Sequence, residues 1–162
     1  NLPNIDRVAI LDFDVHHGNG TVDICREYPE ILVCSSFQYP YYPYRLHDVR
    51  APNIVNTPLE AGASGDDFRR AIDGSWWQAI EGHRPDLIFI SAGFDAHKDD
   101  PLSNFGLKSV DFYEITRRTL NVSKEFCKGN VVSILEGGYN IVGNAKAAVT
   151  HIETLNNFYK NI

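Results

Sequence analysis

Four short apolar runs limit what this chain can fold into. Val8–Leu11, Ile31–Cys34, Leu87–Ile90 and Val131–Leu135 are bounded by polar or turn-forming residues and read as buried strands. A fifth, weaker strand is placed within Asn53–Leu59. Amphipathic stretches alternate with these runs. A short helix is expected over Thr21–Tyr28, stopped before Pro29. Ser64, with Asp67 in the first turn, opens a helix whose Phe68, Ala71, Ile72, Ser75, Trp76, Ala79 and Ile80 share one face. Ser109 caps another, carrying Phe112, Ile115, Thr119, Val122 and Phe126, and a last helix is expected over Val142–Tyr159. The Tyr- and Pro-rich segment Phe37–Pro43 is expected to be irregular. Strands separated by helices require crossover connections, so the expected fold is α/β, a three-layer α/β/α system around a mostly parallel sheet. In such sheets ligands bind at the carboxyl ends of the strands.

Composition narrows the class further. With 162 residues the chain suits one domain, and 43% hydrophobic residues suffice for a core. A formal charge of −6 argues against a nucleic-acid-binding face. No apolar run is long enough to span a membrane, and no signal-peptide pattern is present. Cys25, Cys34 and Cys127 are expected to be reduced, buried thiols in a cytoplasmic setting. The sequence contains no methionine, so Asn1 is expected to lie inside a longer natural chain.

The unusual residues cluster where the strands end. After the first strand comes Asp12-Phe13-Asp14-Val15-His16-His17-Gly18-Asn19-Gly20, in which alternation turns Asp12, Asp14 and His16 one way and His17 the other. A carboxylate and an imidazole two residues apart can reach one metal ion. Asp95, in Gly93-Phe94-Asp95-Ala96-His97 after the Leu87–Ile90 strand, can supply a third ligand. Asp, His and Asp with an open fourth position make the pattern of a catalytic zinc site. His97 is expected at the surface. After the last strand, Glu136-Gly137-Gly138-Tyr139-Asn140 lets the backbone approach a ligand and aims a phenol that could stabilise an oxyanion.

In this order the three clusters resemble the zinc-dependent histone deacetylase superfamily, which includes acetylpolyamine amidohydrolases and acetoin-utilisation proteins. The resemblance runs from Arg7 to about Phe158. It implies zinc ligands Asp14, His16 and Asp95, with Tyr139 as transition-state hydrogen-bond donor. It also implies a potassium site made by Asp12, Ser35 and backbone carbonyls including that of Ser36. Asn19 would orient an active-site histidine. Leu102 would floor a substrate channel walled by Tyr41 and Tyr42 and bordered by Gly137 and Gly138. The implied reaction is removal of acetyl groups from acetyl-lysine or acetylated polyamines.

Family members are roughly twice this length, and the upstream half carries an adjacent histidine pair that moves protons at the zinc-bound water. Here the only adjacent pair is His16-His17, already assigned otherwise, while His47, His83 and His151 are expected in solvated or capping roles. The chain is therefore read as the C-terminal half of a deacetylase-like catalytic domain, inactive alone. Its uncovered sheet edge is expected to meet that missing half or a second copy. A two-manganese ureohydrolase and an inactive scaffold or binding module are the competing readings.

Overall fold

A computed structural model describes residues 4–160; Asn1 lies outside them. Five parallel strands form one sheet: β1 (Val8–Asp12), β2 (Ile31–Gln38), β3 (Ile54–Leu59), β4 (Leu87–Ala92) and β5 (Val131–Leu135), in the order β3-β2-β1-β4-β5. The helices are α1 (Asn19–Cys25), α2 (Gly65–Asp73), α3 (Trp76–His83), α4 (Ser109–Phe126) and α5 (Ile141–Tyr159). Alternation along the strands feeds two cores. Ala9, Leu11, Leu32, Cys34, Ile88 and Ile90 face α2, α3 and α4 residues such as Phe68, Trp76 and Phe112. Ile10, Ile31 and Val33 face Val22 and Cys25 of α1. The architecture is the expected three layers. Each fully buried side chain of this size contributes about 1.5–3 kcal/mol.

Several local expectations are corrected. The single amphipathic helix beginning at Ser64 is two helices. Ser64 caps α2 through a reciprocal bond pair with Asp67, but the helix ends at Gly74. The break turns Trp76 fully into the core, where its indole N–H donates to Thr57 Oγ1 at 3.0 Å. β2 runs four residues beyond Cys34, because β3 offers Phe37 and Gln38 a continuous parallel ladder; they are not irregular. Ser109 is the first residue of α4, not its cap. The preceding Lys108 N–H donates instead to the Asp111 carboxylate at 2.8 Å.

Two histidines expected in contact with solvent are core residues. His97 stacks on Phe112, with ring centroids 6.4 Å apart. His151 lies edge-on to Phe13 and Phe94, with Nδ1 2.7 Å from Thr116 Oγ1 and Nε2 2.8 Å from Ser133 Oγ. Burial pushes the His151 imidazole down to about 4. Between about pH 6.5 and 4 the unfolded chain therefore holds a proton at this residue that the folded chain does not. Stability supplied by His151 is complete above pH 6.5 and is lost as pH falls toward 4, by up to about 1.4 kcal/mol per pH unit. Urea unfolding at pH 7 and pH 5 checks this. His151→Gln should lose less stability over that interval than the unsubstituted chain, and an equal loss would remove His151 as the cause.

β5 differs from the other strands. It is a sheet edge, and Val132, Ile134 and Leu135 are exposed together with Ile141, Val142, Val149 and Ile152 of α5. β1 and β4 meet where the strand order reverses, so their carboxyl ends open onto the same crevice.

Candidate metal centre

Asp14 and His16 leave the end of β1, and Asp95 leaves the end of β4. The paired register Asp12↔Ser91 brings the two loops side by side. His16 Nδ1 lies 3.0 Å from Asp14 Oδ1 and 3.1 Å from Asp95 Oδ2. Among the described residues these three form the one cluster able to offer three ligand atoms to an ion. Backbone groups hold both acids in place. Asp14 Oδ1 accepts from His16 N (2.8 Å), Asp14 Oδ2 from Gly137 N (2.9 Å), and Asp95 Oδ1 from Val15 N (2.9 Å). Asp95 Oδ2 is buried and has no aligned hydrogen-bond donor. Burial of that kind is costly for a carboxylate oxygen unless a cation meets it.

The electrostatics agree. Burial, with Asp14 nearby, pushes the Asp95 carboxyl up to about 6. Burial also opposes ionisation of Asp14, but hydrogen bonds from His16 and Gly137 outweigh it and hold that carboxyl below its usual value. The hydrogen bond to Asp14, with the Asp95 carboxylate also in contact, raises the His16 imidazole to about 10. The cluster thus demands positive charge between its donor atoms, and a divalent cation satisfies it as well as an imidazolium proton does. One nitrogen and carboxylate oxygens, with one side open to the cleft, fit zinc.

Glycines make room for this packing. A Cβ on Gly137 would overlap Oδ2 of both Asp95 and Asp14, and one on Gly93 would overlap Asp14. Gly137→Ala is expected to cost about 1–3 kcal/mol of stability and to weaken zinc binding at least about tenfold. Thermal unfolding and zinc titration measure both. An unchanged zinc affinity would show that the carboxylates can give way.

A cleft of about 740 Å³ opens over the centre, lined among others by Tyr41, Tyr42, Leu102, Gly138 and Tyr139. Tyr41 stacks on His16 at 5.7 Å between centroids, and Tyr42 meets it edge-on at 5.8 Å. The Tyr41 hydroxyl donates to Leu102 O at 3.4 Å. Gly138 adopts φ +149°, and a side chain there would strike Asn144. Tyr139 is 54% exposed. Partial burial, then the charges of Asp95 and Asp14, raise its phenol above the ordinary value. The hydroxyl therefore keeps its proton at neutral pH and can donate it.

Asp12, Ser35 and Ser36 converge behind the centre. Ser35 Oγ donates to Asp12 Oδ2 and Ser36 Oγ to Asp12 O, both at 3.4 Å. Burial, with Asp14 beside it, holds the Asp12 carboxyl well above its usual range. Asn19 opens α1 at the cleft wall. His17 turns away as alternation predicts. Its Nε2 lies 2.8 Å from Asn56 Oδ1, while Asn56 Nδ2 reaches the carbonyls of Leu46, His47 and Val49. Sequence reading missed Asn56. An asparagine in a strand carries no signal of the loop that it will tie down.

Two acids and a histidine at adjoining strand ends of an open parallel sheet, with a phenol over the same cleft, make a candidate site for one metal ion. The family comparison makes this more specific. Residues 2–155 match the histone deacetylase domain, and the chain belongs to that family. Over 147 residues it is 40% identical to histone deacetylase 10, chloroplastic, of Oryza sativa subsp. japonica, covering 87% of this chain and 33% of the relative. It is 35% identical to a histone deacetylase-like amidohydrolase of Pseudomonas aeruginosa, covering 84% of this chain and 38% of the relative. The crystal structure of the HDA15 HD domain superposes with a TM-score of 0.83 at 30% identity, over 94% of this chain and 46% of that one. The chain thus spans half or less of the length of these proteins.

Proposed function

We propose that this chain is the C-terminal half of a zinc-dependent deacetylase domain that hydrolyses acetyl-lysine or acetylated polyamines. The observation that carries the reading is the convergence of Asp14, His16 and Asp95 beneath a cleft that also contains Tyr139. Asp14, His16 and Asp95 would hold zinc, which when bound polarises the amide carbonyl and acidifies a water molecule. Tyr41, Tyr42 and Leu102 would guide the acylated side chain inward. The Tyr139 hydroxyl would donate to the carbonyl oxygen as negative charge develops there. Acetate and the free amine leave.

Asp12, Ser35 and the Ser36 carbonyl would hold potassium, because a buried acid ringed by oxygen donors suits a hard monovalent cation. The three buried, unpaired thiols suit a reducing, cytoplasmic compartment. The upstream half would pack on β5 and α5, where seven large apolar side chains lie exposed along the unpaired outer edge of β5. It would bring the proton-transfer histidines.

The test is metal analysis and deacetylation of acetyl-lysine peptide and acetylpolyamine by the full natural polypeptide, with residues 1–162 alone in parallel. Expected are one zinc per chain, turnover in the longer protein, and none in the shorter. A zinc-loaded full polypeptide with no turnover on either substrate would leave the scaffold reading in its place. Two manganese ions per chain would favour a ureohydrolase.

A further inference from the structure

A buried acid outside the metal cluster links two walls of the cleft. Asp100 is 6% exposed and, among the described residues, forms no salt bridge. Its charge is met by backbone N–H groups instead. Oδ1 accepts from Leu102 N at 2.9 Å, and Oδ2 accepts from Tyr139 N at 2.7 Å and Asn140 N at 3.1 Å. Hydrogen bonds to an ionised carboxylate are about twice as strong as neutral ones. Two of them join the loop after β4 to the turn after β5, far apart in sequence, and the third ties Asp100 within its own loop.

The turn needs such an anchor. Gly137 and Gly138 precede Tyr139, so the chain entering this position is intrinsically free. The Tyr139 ring is more than half exposed and has little packing to fix it. Its position is set from the backbone: by Asp14 through Gly137 N, and by Asp100 through its own amide. The loop held by the other carboxylate oxygen carries Leu102, whose carbonyl takes the Tyr41 hydroxyl. One side chain thus sets the spacing between the channel floor and the phenol.

We propose that Asp100 is a positioning residue for deacetylation, acting through the backbone of Tyr139 to hold its hydroxyl over the metal centre. This rests on the reading of Tyr139 as oxyanion donor. Asp100 itself touches neither substrate nor metal. An error of about 1 Å in a catalytic group costs on the order of a hundredfold in rate, so a loosened turn acts on turnover more than on substrate binding.

The experiment uses Asp100→Asn, which preserves shape but places an NH₂ group against either Leu102 N or the Tyr139–Asn140 pair. In the full polypeptide, kcat should fall about 10- to 100-fold with KM within about threefold. On a Tyr139→Phe background the same change should cost less than about threefold, because its route of action is already gone. A loss that multiplies in full on that background, or one confined to KM, would overturn the proposal. Amide exchange supplies a readout independent of activity. Exchange at Tyr139 and Asn140 should quicken at least about tenfold, with Val15 unchanged. Unsubstituted rates at both amides would also overturn the proposal. Absence of turnover in the unsubstituted protein would count against the functional reading alone, and the exchange rates would still decide whether Asp100 holds the turn.

Discussion

Asp95→Ala is expected to weaken zinc binding several hundredfold. Apparent binding energies of about 10–16 kcal/mol for four-ligand zinc sites assign about 3–4 kcal/mol to each donor, and each 1.4 kcal/mol is tenfold in affinity. Asp95 is the fully buried member of the cluster, and its Oδ2 accepts no aligned hydrogen bond, with His16 Nδ1 3.1 Å away. The alanine variant also strips Val15 N of its acceptor, so a companion is needed. Asp95→Asn can keep that bond through its carbonyl oxygen while losing the anionic donor. Competition with a chelating dye should place both variants far below the unsubstituted chain. If Asp95→Asn bound zinc normally, the anionic donor would not be needed at this position. If Asp95→Ala did so too, Asp95 would not be a ligand at all.

The sequence was most informative where chemistry and strand geometry coincide. Alternation along an extended chain separates His16 from His17, and the structure keeps that separation: His16 meets Asp14 and Asp95, and His17 meets Asn56. The strand-end rule likewise located Asp95 and Tyr139, since a parallel sheet brings its carboxyl ends together whatever lies between them. Packing decided what periodicity could not. Trp76 prefers a buried indole bonded to Thr57 over a continuous helix, so the helix breaks at Gly74. His97 and His151 were read as polar residues, yet aromatic neighbours and hydroxyl partners bury them. A sequence does not announce which hydroxyl will face an imidazole thirty-five residues away.

The uncovered β5 strand follows the same logic in reverse. Its composition, Val131-Val132-Ser133-Ile134-Leu135, matches that of an inner strand, yet it lies at an edge, paired only with β4, and most of its side chains are exposed. Apolar side chains on both faces are the pattern of a strand buried within a parallel sheet. The residues of β5 are therefore suited to a larger sheet than five strands provide. This agrees with a chain that covers under half of the HDA15 structure while matching its fold.

Tyr139→Phe should lower kcat of the full polypeptide about 100- to 1000-fold, the effect of removing one preorganised oxyanion donor. The phenol lines the cleft with its proton secured, because partial burial and then the charges of Asp95 and Asp14 discourage a phenolate. Phenylalanine keeps the ring and the backbone bond to Asp100 and deletes the donor alone. Zinc affinity should therefore stay within about twofold, since the hydroxyl is not among the ligand atoms. KM should move less than kcat, because the interaction strengthens only as charge builds on the carbonyl oxygen. Steady-state kinetics on an acetyl-lysine peptide, with zinc content measured on the same sample, separates these effects. Unchanged kcat at full zinc occupancy would remove Tyr139 from the reaction. A parallel loss of zinc would instead make it a structural support of the metal centre.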